Sequence, residues 1–345
     1  MLYVEEEILG HPRTREIRGR FPDDDVIPCA RYGEVFNRRA QSFRLQKRRP
    51  SLILAKKHRN FVVETPPGFG FPGARNLCFS HMLNCIYDCR YCFLQGAHRS
   101  ANYVVFVNYE DFQWEIESRI KGAKGAERLC FFSGYDCDSL ALEPVTRLAA
   151  SFVPFFARFP QAMLELRTKS TQIKSLLDME APPNVVVAFS FTPEEVQAAH
   201  EHETPSVDRR IRAMERLQER GWRLGLRFDP LIYDEDYRGR YRRLYEQVFG
   251  AVRIESLHSV SVGPFRLSGD AFKAMARLYP EDALFAGPLA EEAGAVTYRR
   301  ELEEEMVEFC SAELLRHVPR EIFFPGLSVA PARPAHPTAE SGPES

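Results

Sequence analysis

Three cysteines, Cys85, Cys89 and Cys92, lie within one short segment, NCIYDCRYCFLQ, with the spacing C-x3-C-x2-C. Three thiolates this close can hold one metal centre, but they leave a four-coordinate site one ligand short. An iron–sulfur cubane held by three cysteines has one iron open to a small molecule. Radical chemistry with S-adenosylmethionine requires such an open iron. The spacing therefore predicts a [4Fe–4S] cluster on these three cysteines, with Tyr91 and Phe93 keeping it partly dry.

Structural zinc is the competing interpretation of this segment. Zinc prefers four ligands, which commonly come from two C-x2-4-C pairs. Cys78, seven residues upstream, is a possible fourth ligand, but the sequence has no second C-x2-C pair. The acidic N-terminus, MLYVEEEILG, lacks the basic start of a secretory signal, so we expect a cytoplasmic protein without disulfides. These observations favour the cluster over zinc.

The composition of the 345 residues, 44% hydrophobic and 27% charged, is typical of a globular protein. No stretch approaches ~18 uninterrupted apolar residues, so we expect no membrane partner. The net charge of −2 hides a basic run between residues 34 and 64, where nine lysines and arginines occur without an acid. Phe36, Phe43 and Phe61 interleave with these cations. Such a run suits a nucleic-acid backbone, and its alternative is a solvated basic face.

Short apolar runs alternate with helical patterns through the middle of the chain. The predicted strands are 76–80, 129–132, 163–168, 185–191, 223–228 and 257–262. The predicted helices are 109–123, 144–159, 171–179, 206–220, 237–250 and 269–279. Alternating strands and helices imply parallel strands with right-handed crossovers, so we predict an α/β fold with a partial (β/α)6 TIM-like barrel.

The predicted barrel divides the chain into three parts. Residues 1–75 form an N-terminal extension that carries the basic run and closes with the Pro/Gly-rich linker PPGFGFPG. Residues 76–327 form the barrel with a C-terminal helical part. Residues 328–345 are rich in Pro, Ala and Ser and are predicted to be a disordered tail. The cysteine segment follows the first strand, which places it at the C-terminal end of the barrel, where the chemistry of such folds takes place.

Four segments together resemble the spore photoproduct lyase family of radical S-adenosylmethionine enzymes. CIYDCRYCFLQ followed by YVVFVN is similar to the cluster loop of the family and the strand after it. RTKS, VAFSFTPEEV and ETPSVDRRIRAMERLQERGWRLGLRFDPLIY resemble later strands and helices, in order and at similar spacing. The likeness covers residues 2–325. The fold it implies is a partial barrel of the radical S-adenosylmethionine type.

The resemblance implies roles for individual residues. Cys85, Cys89 and Cys92 would be cluster ligands, while Lys169 and Ser190 would hold the amino acid end of S-adenosylmethionine. An ammonium can pair with the carboxylate of that cofactor, and a hydroxyl can donate or accept beside it. The implied reaction reverses a UV-induced thymine dimer in DNA through a 5′-deoxyadenosyl radical. The implied partners are damaged DNA and an external electron donor such as flavodoxin or ferredoxin.

The chain departs from the family pattern at two positions. The family's hydrogen-donating cysteine aligns with Tyr135, and the nearest cysteine in that loop is Cys137. The family's relay tyrosine after the last cluster cysteine is Phe93, which has no O–H. The catalytic candidates are therefore Cys137, Tyr135 and Tyr91. Either Cys137 has taken over the donor role, or the enzyme performs another radical reaction on another substrate.

Further residues are weaker site candidates. Arg227, Asp229 and Tyr233 follow a barrel strand, and Arg266 follows the next; each could instead belong to an internal salt bridge. The alternatives to a thymine-dimer lyase are a radical enzyme of the same fold that acts on another nucleic acid lesion or a small molecule, and a zinc-stabilised nucleic-acid-binding protein.

Overall fold

A computed structural model describes residues 1–125 and 127–326. Its central sheet curls into a half-barrel of parallel strands in sequential order. The six main strands are Arg75–Phe79, Leu129–Ser133, Ala162–Thr168, Val185–Ser190, Arg223–Leu231 and Leu257–Pro264. Val63–Glu64 adds an antiparallel edge beside the first strand, and Phe323–Pro325 adds a parallel one beside the sixth. The predicted fold class is confirmed.

The barrel strands read as near-continuous apolar runs because both faces of the sheet are covered. Every residue of Leu129–Ser133 and Val185–Ser190 is buried, as expected of parallel strands with helices on one side and a packed interior on the other. The covering helices are Tyr109–Gly122, Glu143–Thr146, Leu148–Ala157, Val207–Glu219, Tyr237–Ala251 and Arg300–Leu314.

Two predicted helices differ from the structure. The predicted helix 144–159 is broken in two at Arg147, which adopts a left-handed conformation with φ of 50°. The predicted helix 171–179 is wrong in length: only the single turn Lys174–Leu177 is helical. Ser170 and Thr168 accept backbone N–H groups near its start, at 3.0 and 2.8 Å. Short polar side chains compete with helix formation in this way.

The N-terminal extension builds a second sheet against the barrel. Its strands Leu2–Glu5, Val26–Cys29 and Leu52–Ala55 pair in parallel. The sheet continues with Tyr103–Phe106 and Met82–Leu83. Strands from both sides of the proposed boundary at residue 75 therefore share one sheet. The boundary itself remains a prediction, and the predicted tail 328–345 lies outside the described residues.

The C-terminal part carries a small three-stranded antiparallel sheet beside the barrel mouth. Its strands are Arg266–Ser268, Leu289–Glu292 and Ala295–Tyr298, and the helix Gly269–Leu278 follows the first of them. Ser268 caps this helix by accepting the N–H of Ala271 at 3.0 Å. The described residues contain no helix with the length and apolar character needed to cross a bilayer.

Candidate active site

One cavity of about 260 Å³ opens at the C-terminal end of the barrel strands. The ends of the second to sixth main strands, the cysteine segment and the N-terminal helix Phe43–Arg48 contribute to its wall. Every candidate from the predicted site lines it: Cys85, Cys89, Cys92, Tyr91, Lys169, Ser190, Tyr135 and Cys137. Residues that are far apart in the sequence therefore meet in one concave site.

The three cysteines fit a cluster better than a single metal ion. Three thiolates on one zinc ion would lie ~3.8 Å apart, since the Zn–S bond is ~2.3 Å. Among residues 1–125 and 127–326, only Glu5, Glu7 and His58 place three potential ligand atoms within 4.8 Å of one another. In a cubane each thiolate binds its own iron, so the sulfurs stand farther apart. All three thiols are free and face the same cavity.

Cys78, the possible fourth zinc ligand, lies elsewhere. It sits on the first barrel strand in an apolar cluster with Phe71, Cys130 and Phe132. Burial raises the pKa of the Cys78 thiol to about 12. The position of Cys78 is that of an interior side chain, and it leaves the cysteine trio without a fourth protein ligand from this residue.

The cysteine segment pairs with the short strand Glu201–His202, which follows the helix Glu194–His200 after the fourth barrel strand. Asp88–Cys89 pairs in antiparallel fashion with Glu201–His202, and the Arg90 N–H donates to the His200 carbonyl at 2.7 Å. The Tyr91 hydroxyl donates to the buried Glu201 carboxylate. These contacts fix the segment through its backbone as well as its side chains.

Glu201 and Arg210 form a fully buried ion pair beneath the segment. Burial alone would raise the pKa of Glu201, but Arg210 and Lys169 bring it down to about 2. Arg210 also donates to the carbonyl of Ser190 at 3.0 Å. The same guanidinium therefore holds both the cysteine segment and the end of the fourth strand. This pair was not predicted, because neither residue belongs to a local motif.

Lys47 from the N-terminal basic run reaches the cysteine segment from the opposite side. Its ammonium donates to the carbonyls of Cys85 and Tyr87, both at 3.3 Å, and lies 3.9 Å from the Asp88 carboxylate. Lys47 therefore serves the site rather than an external phosphate. The other eight cations of the run differ in exposure. Lys57 is buried and Lys56 is half-buried, whereas six are exposed, namely Arg38, Arg39, Arg44, Arg48, Arg49 and Arg59.

Lys169 and Ser190 lie at the ends of the third and fourth barrel strands. The Lys169 ammonium is 5.6 Å from the centre of the Tyr91 ring, and its backbone N–H donates to Asp138 at 2.6 Å. Ser190 is buried at the cavity wall. An ammonium and a hydroxyl on neighbouring strands beside the cysteine segment form a polar corner, which suits a ligand that carries a carboxylate.

The loop after the second strand brings Tyr135 and Cys137 to the cavity. Its turn depends on Gly134, where φ is +80° and a Cβ would meet the Ser139 hydroxyl at 2.6 Å. The Tyr135 ring packs against Phe93 with 5.6 Å between ring centres. The Cys137 sulfur lies 3.8 Å from Nδ1 of His81. Burial raises the pKa of Cys137 well above its usual range, so it is a protonated thiol at neutral pH.

Asp138 fixes this loop to the third strand. Its carboxylate accepts the Thr168 hydroxyl at 2.7 Å and the backbone N–H groups of Lys169, Leu140 and Ala141. One side chain thus sets the positions of the Cys137 loop and the Lys169 corner together. Asp138 was also missed in the sequence, although an aspartate that follows a strand is a common loop anchor.

The weaker candidates separate into two groups. Asp229 and Arg266 line the cavity, whereas Arg227 is fully buried in the barrel and pairs with Glu165 at 2.6 Å. The Tyr233 backbone N–H donates to the Tyr298 hydroxyl at 2.8 Å. Arg227 is therefore the internal salt-bridge member that the sequence left open.

A half-barrel with three free thiols on the loop after its first strand defines a radical S-adenosylmethionine type of site. The sequence model of the family described as spore photoproduct lyase matches residues 74–285. The chain therefore belongs to the spore photoproduct lyase family, as predicted, a family that uses S-adenosylmethionine and a [4Fe–4S] cluster. The two predicted cofactors are those of the family.

Individual relatives agree with this membership. Spore photoproduct lyase from Bacillus subtilis (strain 168) is 22% identical over 82% of this chain and 83% of its own length. The Clostridium acetobutylicum enzyme of that name is 20% identical over 88% of this chain and 92% of its own length. A solved spore photoproduct lyase mutant with bound AdoMet and dinucleoside spore photoproduct superposes with a TM-score of 0.82 at 18% identity, over 94% of this chain and 97% of that one.

Proposed function

We propose that this protein is a radical S-adenosylmethionine carbon–carbon lyase that reverses a UV-induced thymine dimer in DNA. The observation that carries the proposal is the convergence of three free thiols, the Lys169 ammonium and the loop with the Cys137 thiol on one cavity. Its support from relatives is that curated matches are named spore photoproduct lyase and that a similar structure holds the dinucleoside lesion.

Each part of the cavity has a proposed task. Cys85, Cys89 and Cys92 hold the cluster, and Lys169 and Ser190 hold the amino acid end of S-adenosylmethionine. When both are bound, the cluster and S-adenosylmethionine would supply a 5′-deoxyadenosyl radical by one-electron cleavage of the S–C5′ bond. The remaining task of the protein is to exclude water and to position the lesion, and buried aromatic walls serve both.

The hydrogen return is assigned to Cys137. Its thiol is protonated because burial raises its pKa, and it lines the cavity, so its S–H bond can break and deliver a hydrogen atom to the thymine product radical. The thiyl radical left on Cys137 returns to the thiol with one electron from the external donor and a proton. The neighbouring His81 is neutral, since burial lowers its pKa to about 3. A neutral imidazole can accept the S–H without removing the proton.

Damaged DNA is the proposed partner, with an external electron donor of the flavodoxin or ferredoxin type. The exposed arginines of the N-terminal run suit a phosphate backbone, whose neutralisation releases counterions. One of the six, Arg44, pairs with Glu281 at 2.7 Å. A cytoplasmic location remains a prediction from the N-terminal sequence.

A second candidate reaction is favoured by one specific contact. Phe93 faces Tyr135 at 5.6 Å, and without an O–H it cannot pass a hydrogen atom onward. A radical enzyme that acts on another nucleic acid lesion or a small molecule would not need the return path.

The deciding experiment is a single-turnover assay with the anaerobically reconstituted protein. The protein is reduced in the presence of S-adenosylmethionine, and 5′-deoxyadenosine is measured with irradiated and with unirradiated DNA. Formation that rises with irradiated DNA, together with restored thymines, supports the lyase. Formation that is indifferent to irradiation favours the second candidate. The absence of both 5′-deoxyadenosine and bound iron would falsify the radical chemistry altogether.

A further inference from the structure

A second polar pair, Arg167 and Asp229, lines the same cavity as Lys169. Arg167 is two residues before Lys169 on the third strand, and Asp229 is two residues beyond Arg227 on the fifth. Side chains two apart on a strand face the same side, ~6–7 Å from each other along it. Both residues line the cavity, and the Arg167 guanidinium stands 3.9 Å from Asp229 Oδ2. Arg167 and Asp229 together form a polar patch on the cavity wall.

Asp229 has unused hydrogen-bonding capacity. Within residues 1–125 and 127–326 its Oδ2 is buried without a hydrogen-bond partner. Arg167, by contrast, also pairs with the buried Glu165 at 3.0 Å, so its position is fixed from below. A buried carboxylate oxygen without a donor is unfavourable unless a ligand supplies one. The polar patch therefore presents a fixed guanidinium, Arg167, beside a carboxylate, Asp229, that needs a hydrogen-bond donor.

Aromatic rings lie beside this polar patch. The Arg167 guanidinium carbon lies 5.1 Å from the centre of the Phe69 ring, and Phe69 meets Tyr135 edge to face at 6.0 Å. Tyr135 in turn packs on Phe93. All three rings line the same cavity. Aromatic walls around a pair of hydrogen-bonding groups are how proteins hold an unstacked nucleobase.

We infer that Arg167 and Asp229 read the imide edge of a pyrimidine base. A thymine or uracil ring presents one N3–H donor between two carbonyl acceptors. Asp229 accepts the N3–H, and Arg167 donates to the adjacent carbonyl. Cytosine offers an acceptor at N3 and fits the carboxylate poorly. The pair thus selects thymine-type bases, with Phe69 and Tyr135 as the walls.

This inference rests on the proposed function for its substrate class, a base in DNA. The competing use of Asp229 is to bind the ribose hydroxyls of the cofactor, because carboxylates also accept from a diol. The aromatic surroundings favour the base, since the Phe69 ring lies 5.1 Å from the Arg167 guanidinium carbon and a ribose presents no flat face to stack on it. The test below separates the two uses.

The test measures binding of two short single-stranded oligonucleotides to the reconstituted protein. One carries a central pair of thymines, and the other carries the same pair methylated at N3, which removes both imide donors. We expect the parent protein to bind the methylated strand about tenfold more weakly, as for loss of one good base-edge contact. In Asp229→Ala this ratio should fall to about one, and in the isosteric Asp229→Asn, which keeps an acceptor oxygen, it should be intermediate.

Asp208→Ala is the matched control, because Asp208 also pairs with an arginine, Arg212, but on an exposed helix. Its ratio should equal that of the parent. The inference is overturned if the parent does not discriminate, if neither strand binds, or if Asp229→Ala keeps the ratio. It is also overturned if Asp229→Ala instead weakens S-adenosylmethionine binding at equal strand affinity. Strand binding needs no radical, so failure of the proposed reaction shows separately as absent 5′-deoxyadenosine.

Discussion

The cysteine segment and the loop after the second strand face each other across one cavity, but they are held in different ways. The cysteine segment is fixed by backbone pairing with Glu201–His202 and by charged contacts from Lys47, while Arg210 holds Glu201 in place beneath it. The second loop is anchored at Asp138, whereas its reactive thiol, Cys137, packs among apolar side chains and lies 3.8 Å from His81. A ligand set needs fixed geometry, while a hydrogen donor needs access to its substrate.

Removal of one cluster ligand gives the largest expected effect. Cys85→Ala leaves two thiols, which cannot hold the cluster, so 5′-deoxyadenosine formation should fall by about 10³ or more, equal to about 4 kcal/mol in the barrier. Iron and sulfide content should fall in parallel. Cys29→Ala, a change at a buried thiol of the N-terminal sheet, should keep its iron. If Cys85→Ala retained a full cluster, the ligand assignment would be wrong.

Loss of the buried cation under the cysteine segment comes next. Arg210→Met leaves Glu201 buried without its ion-pair partner, which should lower the free energy of unfolding by about 3–5 kcal/mol. Urea denaturation measures the change. Arg212→Met alters an exposed arginine on the same helix, and it should have an effect within about 0.5 kcal/mol. Equal effects of the two variants would contradict the fastening role of Arg210.

The free energy of unfolding should decrease in acid because of the buried Glu165 carboxylate in the barrel. Burial alone would raise the pKa of Glu165 above its ordinary value of 4.5, but Arg227 and Arg167 lower it to about 2. A depressed carboxyl pKa stabilises the fold above pH ~4.5, and this stabilisation is lost as the pH falls toward 2. The full contribution is about 3 kcal/mol, of which about 2 should be lost by pH 3.

Glu165→Gln removes this titration. The difference in unfolding free energy between the parent and Glu165→Gln should therefore narrow by about 2 kcal/mol between pH 7 and pH 3. A difference that stays constant over this range would show that Glu165 is not held ionised by the two arginines.

Removal of the Lys47 contacts between the N-terminal extension and the cysteine segment should have a smaller effect on the stability of the site. Lys47→Met removes charged hydrogen bonds to the carbonyls of Cys85 and Tyr87, which contribute about 1.5–2 kcal/mol. We expect faster loss of iron to a chelator from the reconstituted protein. Arg48→Met, on the exposed side of the same helix, should release iron at the parent rate.

Cys137 gives the smallest expected change in barrier and the sharpest test of the second loop. In Cys137→Ala the yield of repaired thymine per 5′-deoxyadenosine should fall about tenfold, or about 1.4 kcal/mol. Tyr135→Phe should keep most of the yield. If Cys137→Ala repairs as cleanly as the parent while Tyr135→Phe does not, the phenol and not the thiol returns the hydrogen.

The sequence predicted what local patterns encode. The six barrel strands lie within a few residues of their predicted bounds because buried parallel strands are continuous apolar runs. The cysteine trio is recognisable because its three ligands lie within eight residues of one another. The tertiary supports were missed: Glu201, Arg210 and Lys47 meet the trio only after the chain has folded, and no spacing rule connects them. The helix break at Arg147 likewise arises from a left-handed residue that helix periodicity does not report.

The flanks of the cysteine segment have a consequence for cofactor delivery. Met82–Leu83 before the segment pairs with Tyr103–Phe106 after it, within the N-terminal sheet. Backbone hydrogen bonds that involve no iron therefore join the two chain segments on either side of the cysteines. A zinc finger unfolds when its ion is chelated. In this protein the paired flanks can hold the cysteine segment in place before the cluster binds. Insertion of the cluster would then need no folding of the flanking backbone, and the protein should keep its fold when iron is withheld.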